Sequence, residues 1–245
     1  MTFGLIDYWR MFRARGPRLP ITYFLENQLF DLVRGIDTHV RVPHESLDVR
    51  GESAVHGLLY QCSWKSAIVN SFAFLQRDLG PRIADYHFVD VGCGKGKVPI
   101  VWQELAERNR LDLRITGVDY AESLLAIARS NHAKVFGRPG NFVHADILGI
   151  DFAAWGERFV FYLYNPFDAI LLERFIAAIK PFECIVVYNN PVHAELFLRH
   201  GFTQLLEPKA WHPNATLQIV KCHPNERTHR PTTPISVGDT TKETP

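Results

Sequence analysis

Three glycines alternate in Phe88-Val89-Asp90-Val91-Gly92-Cys93-Gly94-Lys95-Gly96-Lys97. A short apolar run carrying an acid leads into them, and a helical pattern follows. Gly92, Gly94 and Gly96 lack Cβ atoms, so the backbone there can turn tightly and approach a ligand closely. The first turn of the following helix would direct free N–H groups toward an anionic group such as a carboxylate or phosphate. A second apolar run closes on Asp119, 23 residues beyond Gly96. A carboxylate there can accept hydrogen bonds from two neighbouring hydroxyls. A third run leads to Asp146-Ile147, and a fourth, rich in aromatic residues, to Tyr164-Asn165-Pro166-Phe167. Cys93 reads as a small loop residue, because no base is in place to activate it as a nucleophile.

The elements that must hold these residues alternate. Tyr86–Val91, Leu113–Val118, Asn141–Ala145, Phe159–Tyr164 and Cys184–Tyr188 read as strands. Between them, Val98, Val101, Trp102 and Leu105 recur at helical spacing. So do Ala121, Leu124, Leu125 and Ala128, and then Leu171, Leu172, Phe175, Ile176 and Ile179. Pro99 is tolerable because it falls in a first turn. Alternating strands and helices imply an α/β fold with a mostly parallel sheet and right-handed crossovers. Phe202–Leu206 and Thr216–Val220 read as a closing antiparallel hairpin, and His193–Arg199 as a short helix before it. Residues 20–34 and 64–79 read as helices ahead of the alternation, with Gly35 and Gly80-Pro81 as stops.

These patterns divide the chain into an N-terminal helical cap at 1–80, a ligand-binding domain at 81–222 and a tail at 223–245. The tail holds six threonines and four prolines, with Ile235 and Val237 as its aliphatic residues. Such a composition buries too little to offset its ordering entropy, so disorder is expected there. Residues 36–60 read as loop. Met1–Pro20 mixes Phe3, Leu5, Ile6, Trp9 and Phe12 with Arg10, Arg13, Arg15 and Arg18. That order is the reverse of a signal peptide. A helix packed on its own domain is expected, with a membrane or partner helix as the alternative.

The charge is balanced, with 27 basic and 26 acidic residues. No broad electrostatic footprint for nucleic acid follows, so a nucleic-acid partner is not expected. Cys62, Cys93, Cys184 and Cys222 form no Cys-x-x-Cys pair, and no His-x-x-x-His occurs among the eleven histidines. This argues against a zinc site or disulfide framework and suits a reducing, cytoplasmic setting. No apolar run is long enough for a membrane span.

Taken in order, these motifs resemble those of class I S-adenosylmethionine-dependent methyltransferases over residues 86–222. The resemblance implies a Rossmann-like, seven-stranded, mostly parallel sheet with helices on both faces. It implies S-adenosyl-L-methionine as cofactor, with the glycine loop (Asp90, Gly92, Cys93, Gly94, Gly96) cradling its methionine part. Asp119, followed by Tyr120, would bind the ribose, and Asp146 and Ile147 the adenine. Asn165 would face the reactive methyl and also the acceptor. Tyr164-Asn165-Pro166-Phe167 is similar to the Asn/Asp-Pro-Pro-aromatic motif of amino-group methyltransferases, though with one proline where those have two. Gly35-Ile36-Asp37-Thr38 and Tyr60 resemble features of a bacterial group of these enzymes without an assigned substrate. Tyr60 and Trp64 are thereby placed near the sulfonium, with Tyr60 a catalytic candidate beside Asn165. Packing roles are the alternative for both.

Methyl transfer to an activated centre asks mainly for alignment, which can supply on the order of 7–11 kcal/mol. Tyr164, Tyr188, His56 and His193 are candidate bases. The expected acceptor is a small molecule or a protein side chain, with nitrogen suggested by Asn165. Two further classes stay open. A nicotinamide-dependent oxidoreductase would prefer Gly-x-Gly-x-x-Gly. A non-catalytic, cofactor-binding accessory protein would keep the loop without turnover.

Overall fold

The computed structural model describes residues 4–40, 42 and 61–223. Tyr60, His56 and nearly all of the 223–245 tail lie outside the described residues. Seven strands form one sheet: β1 (His87–Val91), β2 (Arg114–Asp119), β3 (Phe142–His144), β4 (Arg158–Tyr164), β5 (Glu183–Asn189), β6 (Thr203–Leu206) and β7 (Leu217–Cys222). Their order is β3-β2-β1-β4-β5-β7-β6. β1 to β5 pair in parallel, and β7 runs antiparallel between β5 and β6. The chain winds outward from β1 to β3, then returns to place β4 on the other side of β1. The carboxyl ends of β1 and β4 thus flank a topological switch point, where open α/β sheets bind ligands.

Strand alternation supplies both faces. In β4, Val160 and Tyr162 pack into one core with Phe88, Trp102, Ile185 and Ile219. Phe159, Phe161 and Leu163 enter the opposite core with Phe152, Phe175 and Val186. Both faces of β4 are covered, which explains its nearly continuous apolar sequence. The first core is roofed by α4 (Lys65–Leu79) and α5 (Lys97–Asn109), and the second by α7 (Ala169–Ile179) and α8 (Ala194–Arg199). Trp102 meets the edge of Phe88 at 5.1 Å, and Phe161 packs edge-on against Phe175 at 5.4 Å. α6 (Glu122–Phe136) covers β2 and β3, and Gly137 in the left-handed region ends it.

The N-terminal region holds α1 (Leu5–Arg15), α2 (Arg18–Tyr23), a π turn (Phe24–Gln28) and α3 (Leu29–Arg34). The helix expected over 20–34 is therefore interrupted by a π turn. The expected packing of the first helix is also only partial: α1 buries none of its residues fully. It rests on a narrow stripe, with Tyr8 edge-on to Tyr23 at 6.3 Å. The cysteines bring a second difference. Cys184 and Cys222, far apart in sequence, are register partners across β5 and β7.

Candidate functional site

β1 ends at Val91, and the glycine loop turns the chain into α5. Gly92, Gly94 and Gly96 have φ of 72°, 51° and 83°. Those angles explain the alternating glycines, since only glycine adopts them readily. An added Cβ at Gly96 would meet Ala128 at 3.0 Å and Phe142 at 3.1 Å. At Gly92 it would meet Pro166 Cβ at 3.3 Å. The loop therefore touches the turn that follows β4. Gly92 and Cys93 donate their N–H groups to Val118 O, both at 2.9 Å, which ties the loop to the end of β2. Cys93 is buried, and that burial pushes its thiol well up.

Asp119 is buried at the end of β2. Its Oδ2 accepts from Gly94 N at 2.8 Å and its Oδ1 from Ala121 N at 2.9 Å. The backbone N–H of Tyr120 also faces this carboxylate. Asp90 is buried one strand away. Burial, and then the charge of Asp119, push its carboxyl well above the usual carboxylate range; burial also raises Asp119. Two crowded acids in a low-dielectric site favour a cationic ligand. Asp119 lines a mainly apolar pocket with Gly92, Tyr120, Asp146, Ile147 and Phe167. The ends of β1, β2, β3 and β4 all contribute to it. Asp146 is exposed, and its Oδ1 also accepts from Leu148 N at 3.0 Å to cap a 3₁₀ turn.

The turn after β4 places Asn165 in the left-handed region, with φ 41°. Asn190, after β5, repeats the conformation with φ 50°. Each precedes a proline, which disfavours the right-handed helical region for its predecessor. Tyr188 donates its hydroxyl to Asn165 Oδ1 at 3.0 Å. The backbone N–H groups of His193 and Val192 face the same hydroxyl, and burial holds it up at about 12. Tyr188 therefore stays protonated near neutrality. It fixes the Asn165 amide and is removed from the candidate bases.

The cap reaches the glycine loop through two lysines that sequence reading left without a role. Lys95 is buried, and its Nζ lies 2.7 Å from Asp37 Oδ2. Lys97 is also buried; its Nζ donates to Glu26 O and Asn27 Oδ1, both at 2.7 Å. Burial lowers the Lys97 pKa. Glu26 and Asn27 lie in the π turn, where the widened helix presents a carbonyl to a side chain. Asn131 of α6 completes the clamp. Its Nδ2 donates to Asp37 O and Lys95 O at 2.8 and 3.1 Å, and its Oδ1 accepts from Asp37 N at 3.2 Å.

Asp31 holds the same Gly35-Ile36-Asp37-Thr38 segment from behind. It accepts from Thr38 N and Oγ1, both at 2.6 Å, and from His39 N at 3.0 Å. Burial alone would raise its carboxyl, but the hydrogen bonds from His39 and Thr38 hold it below the usual range. Asp31, Asp37 and His39 bring ligand-type atoms within 4.8 Å of one another. Asp31 and His39 bond each other, and Asp37 bonds Lys95, so those atoms are already engaged within the protein. Lysines interleaved with glycines were the available signal for this clamp; the partners, the Asp37 carboxylate for Lys95 and the Glu26 carbonyl and Asn27 amide for Lys97, lie far upstream in the chain. Trp64 is buried, stacked at 4.7 Å on His212 of the segment between β6 and β7.

Residues 88–183 match a family model described as a methyltransferase domain. The matched span holds the glycine loop and strands β1 to β4, so a methyltransferase domain occupies this part of the chain. Among curated proteins, none matches the sequence. Solved structures show remote likeness. Magnesium protoporphyrin IX methyltransferase from Synechocystis PCC 6803, solved with bound S-adenosylmethionine, is 15% identical at a TM-score of 0.49, over 90% of this chain and 98% of that one. Ribosomal protein L11 methylase from Lactobacillus delbrueckii subsp. bulgaricus is 14% identical at 0.42, over 57% and 70% of the two chains.

Proposed function

We propose that the protein methylates a nitrogen of a small molecule or a protein side chain, with Asn165 positioning the acceptor. The observation that carries this reading is the Tyr188–Asn165 hydrogen bond at the switch point, 3.0 Å long. It fixes which end of the amide is the acceptor and leaves one Oδ1 lone pair for an incoming N–H. S-adenosylmethionine supplies an activated methyl group on a sulfonium when bound. The chain's own part is to hold that group, orient the acceptor and exclude water.

The close approach of Gly92 to Pro166, where a Cβ would sit at 3.3 Å, supports the fit of the cofactor beside the loop. Asp90, Gly92, Cys93, Gly94 and Gly96 are assigned to its methionine end. Asp119 and Tyr120 are assigned to the ribose, and Asp146 and Ile147 to the adenine. Residues 1–80 are assigned as the cover of this site, held down by Lys95 and Lys97. Balanced charge favours a small-molecule or protein acceptor over nucleic acid, and the four free cysteines suit the cytoplasm. Among the described residues, no helix is long and apolar enough to cross a membrane.

The reading is tested by single-turnover methyl transfer from labelled cofactor to a panel of amines, hydroxyls and thiols. Transfer to an amine that falls about 100-fold in Asn165→Ala, with cofactor affinity kept, supports it. Transfer confined to hydroxyl or thiol acceptors contradicts it.

A further inference from the structure

α1 lies at the surface with an uncovered apolar face. Leu5, Ile6, Trp9 and Phe12 are 91%, 60%, 56% and 51% exposed. Their spacing puts them along one side of the helix. The opposite stripe, Asp7, Tyr8 and Met11, faces the domain. Arg10 and Arg13 flank the apolar side, and Arg13 stacks over the Trp9 ring at 5.0 Å. Asp7 is the single acid in the helix; it accepts from Gly4 N at 3.0 Å and lies 3.7 Å from the largely exposed Arg10, which leaves Arg13 and Arg15 in excess. The helix is therefore locally basic in a molecule of balanced charge. Leu, Trp and Phe on one face with arginines at its border fit an interface between water and lipid. Trp suits the headgroup level there.

From this we infer that α1 docks the protein on an anionic lipid bilayer surface, apolar face inward and Arg10 and Arg13 against the headgroups. A second copy of the chain fits less well. A two-fold contact through this face would enclose Arg10 and Arg13 of both copies, four like charges along one apolar seam. The tail beyond residue 223, with two aliphatic residues in its length, has too little apolar surface to cover the face. Docking would not detach the helix from the rest. Arg15 donates to Trp211 O at 3.0 Å, and Arg18 stacks on Trp211 at 4.2 Å. Trp211 in turn packs on Trp64 at 5.6 Å. The docked helix would hold the cap side of the molecule toward the lipid.

Flotation of the full chain with vesicles tests this. One set would contain phosphatidylglycerol and phosphatidylcholine, the other phosphatidylcholine alone. The full chain should float with the anionic vesicles and stay behind with the neutral ones, and high salt should release it. Binding should weaken about tenfold or more in R10A/R13A and in W9S/F12S. Thermal unfolding of both variants should match wild type, which keeps the result independent of the proposed chemistry. Equal flotation of wild type and variants would overturn the inference. So would no flotation on anionic vesicles. A dimer in solution that W9S/F12S dissociates would also overturn it, by assigning the face to a second copy.

Discussion

Two residues at the ends of β4 and β5, Asn165 and Tyr188, carry the proposed placement of the acceptor. In the proposed reaction Tyr188 acts as a positioning residue, since its hydroxyl is bonded to Asn165 and stays protonated. Tyr188→Phe should lower the methyl-transfer rate about tenfold, the worth of one such hydrogen bond, while cofactor affinity changes less than twofold. Stopped-turnover rates beside cofactor titrations check the split; an equal loss in both would assign Tyr188 to cofactor binding. Gly96 is a second decisive position. Its φ of 83° and the crowding by Ala128 and Phe142 predict that Gly96→Ala destabilises by about 1–3 kcal/mol in urea unfolding. At this scale much was legible. The alternating glycines and Asp119 stand out because few residues tolerate their backbone or burial. The Tyr188 bond was not legible, because Tyr188 and Asn165 are 23 residues apart and meet only once the parallel strands are in register.

Among the elements, the strands of the sheet were legible within a residue or two, because period-2 patterns and strong stops mark them. Even the edge strand Thr203–Leu206, of mixed polarity, falls within one residue of the Phe202–Leu206 reading. The cap was less legible. Its π turn and its clamp depend on lysines reaching across from the glycine loop, which no local pattern records. The clamp makes a prediction of its own. Asp37→Asn removes the charge opposite the buried Lys95 and should destabilise by about 1–3 kcal/mol, less than a fully buried pair because Asp37 is partly exposed. In Lys95→Met the same Asp37 change should cost far less. A double-mutant cycle that finds the two substitutions additive would show that the contact does not hold the cap.

Across the whole molecule, the amino end of the central strand β1 supplies a pH dependence separate from the site. His87 is buried between Thr116 and Arg114, at 2.8 and 2.9 Å. Burial, and then the Arg114 charge, lower it from 6.5 to about 4. Between those values the unfolded chain takes up a proton that the fold refuses. This stability is complete above about pH 6.5 and is lost as pH falls toward 4, by about 2–3 kcal/mol. Asp90 and Asp119, with raised values, act in the opposite sense, so the difference between wild type and His87→Phe is the quantity to read. Urea unfolding from pH 7 to 4 should give wild type the steeper loss, and parallel curves would contradict the assignment. The class of fold was legible at this scale from the order of motifs alone. The exposed first helix was not, since an amphipathic pattern looks the same whether its apolar face meets a core or solvent. The central claim is that the glycine loop and Asp119 hold S-adenosylmethionine. Isothermal titration of the full chain, with Asp119→Ala beside it and unfolding curves as a check on folding, tests this most directly. Micromolar binding by wild type that the folded variant loses is the expected result. A folded wild type that does not bind the cofactor, or a variant that binds equally well, would contradict it.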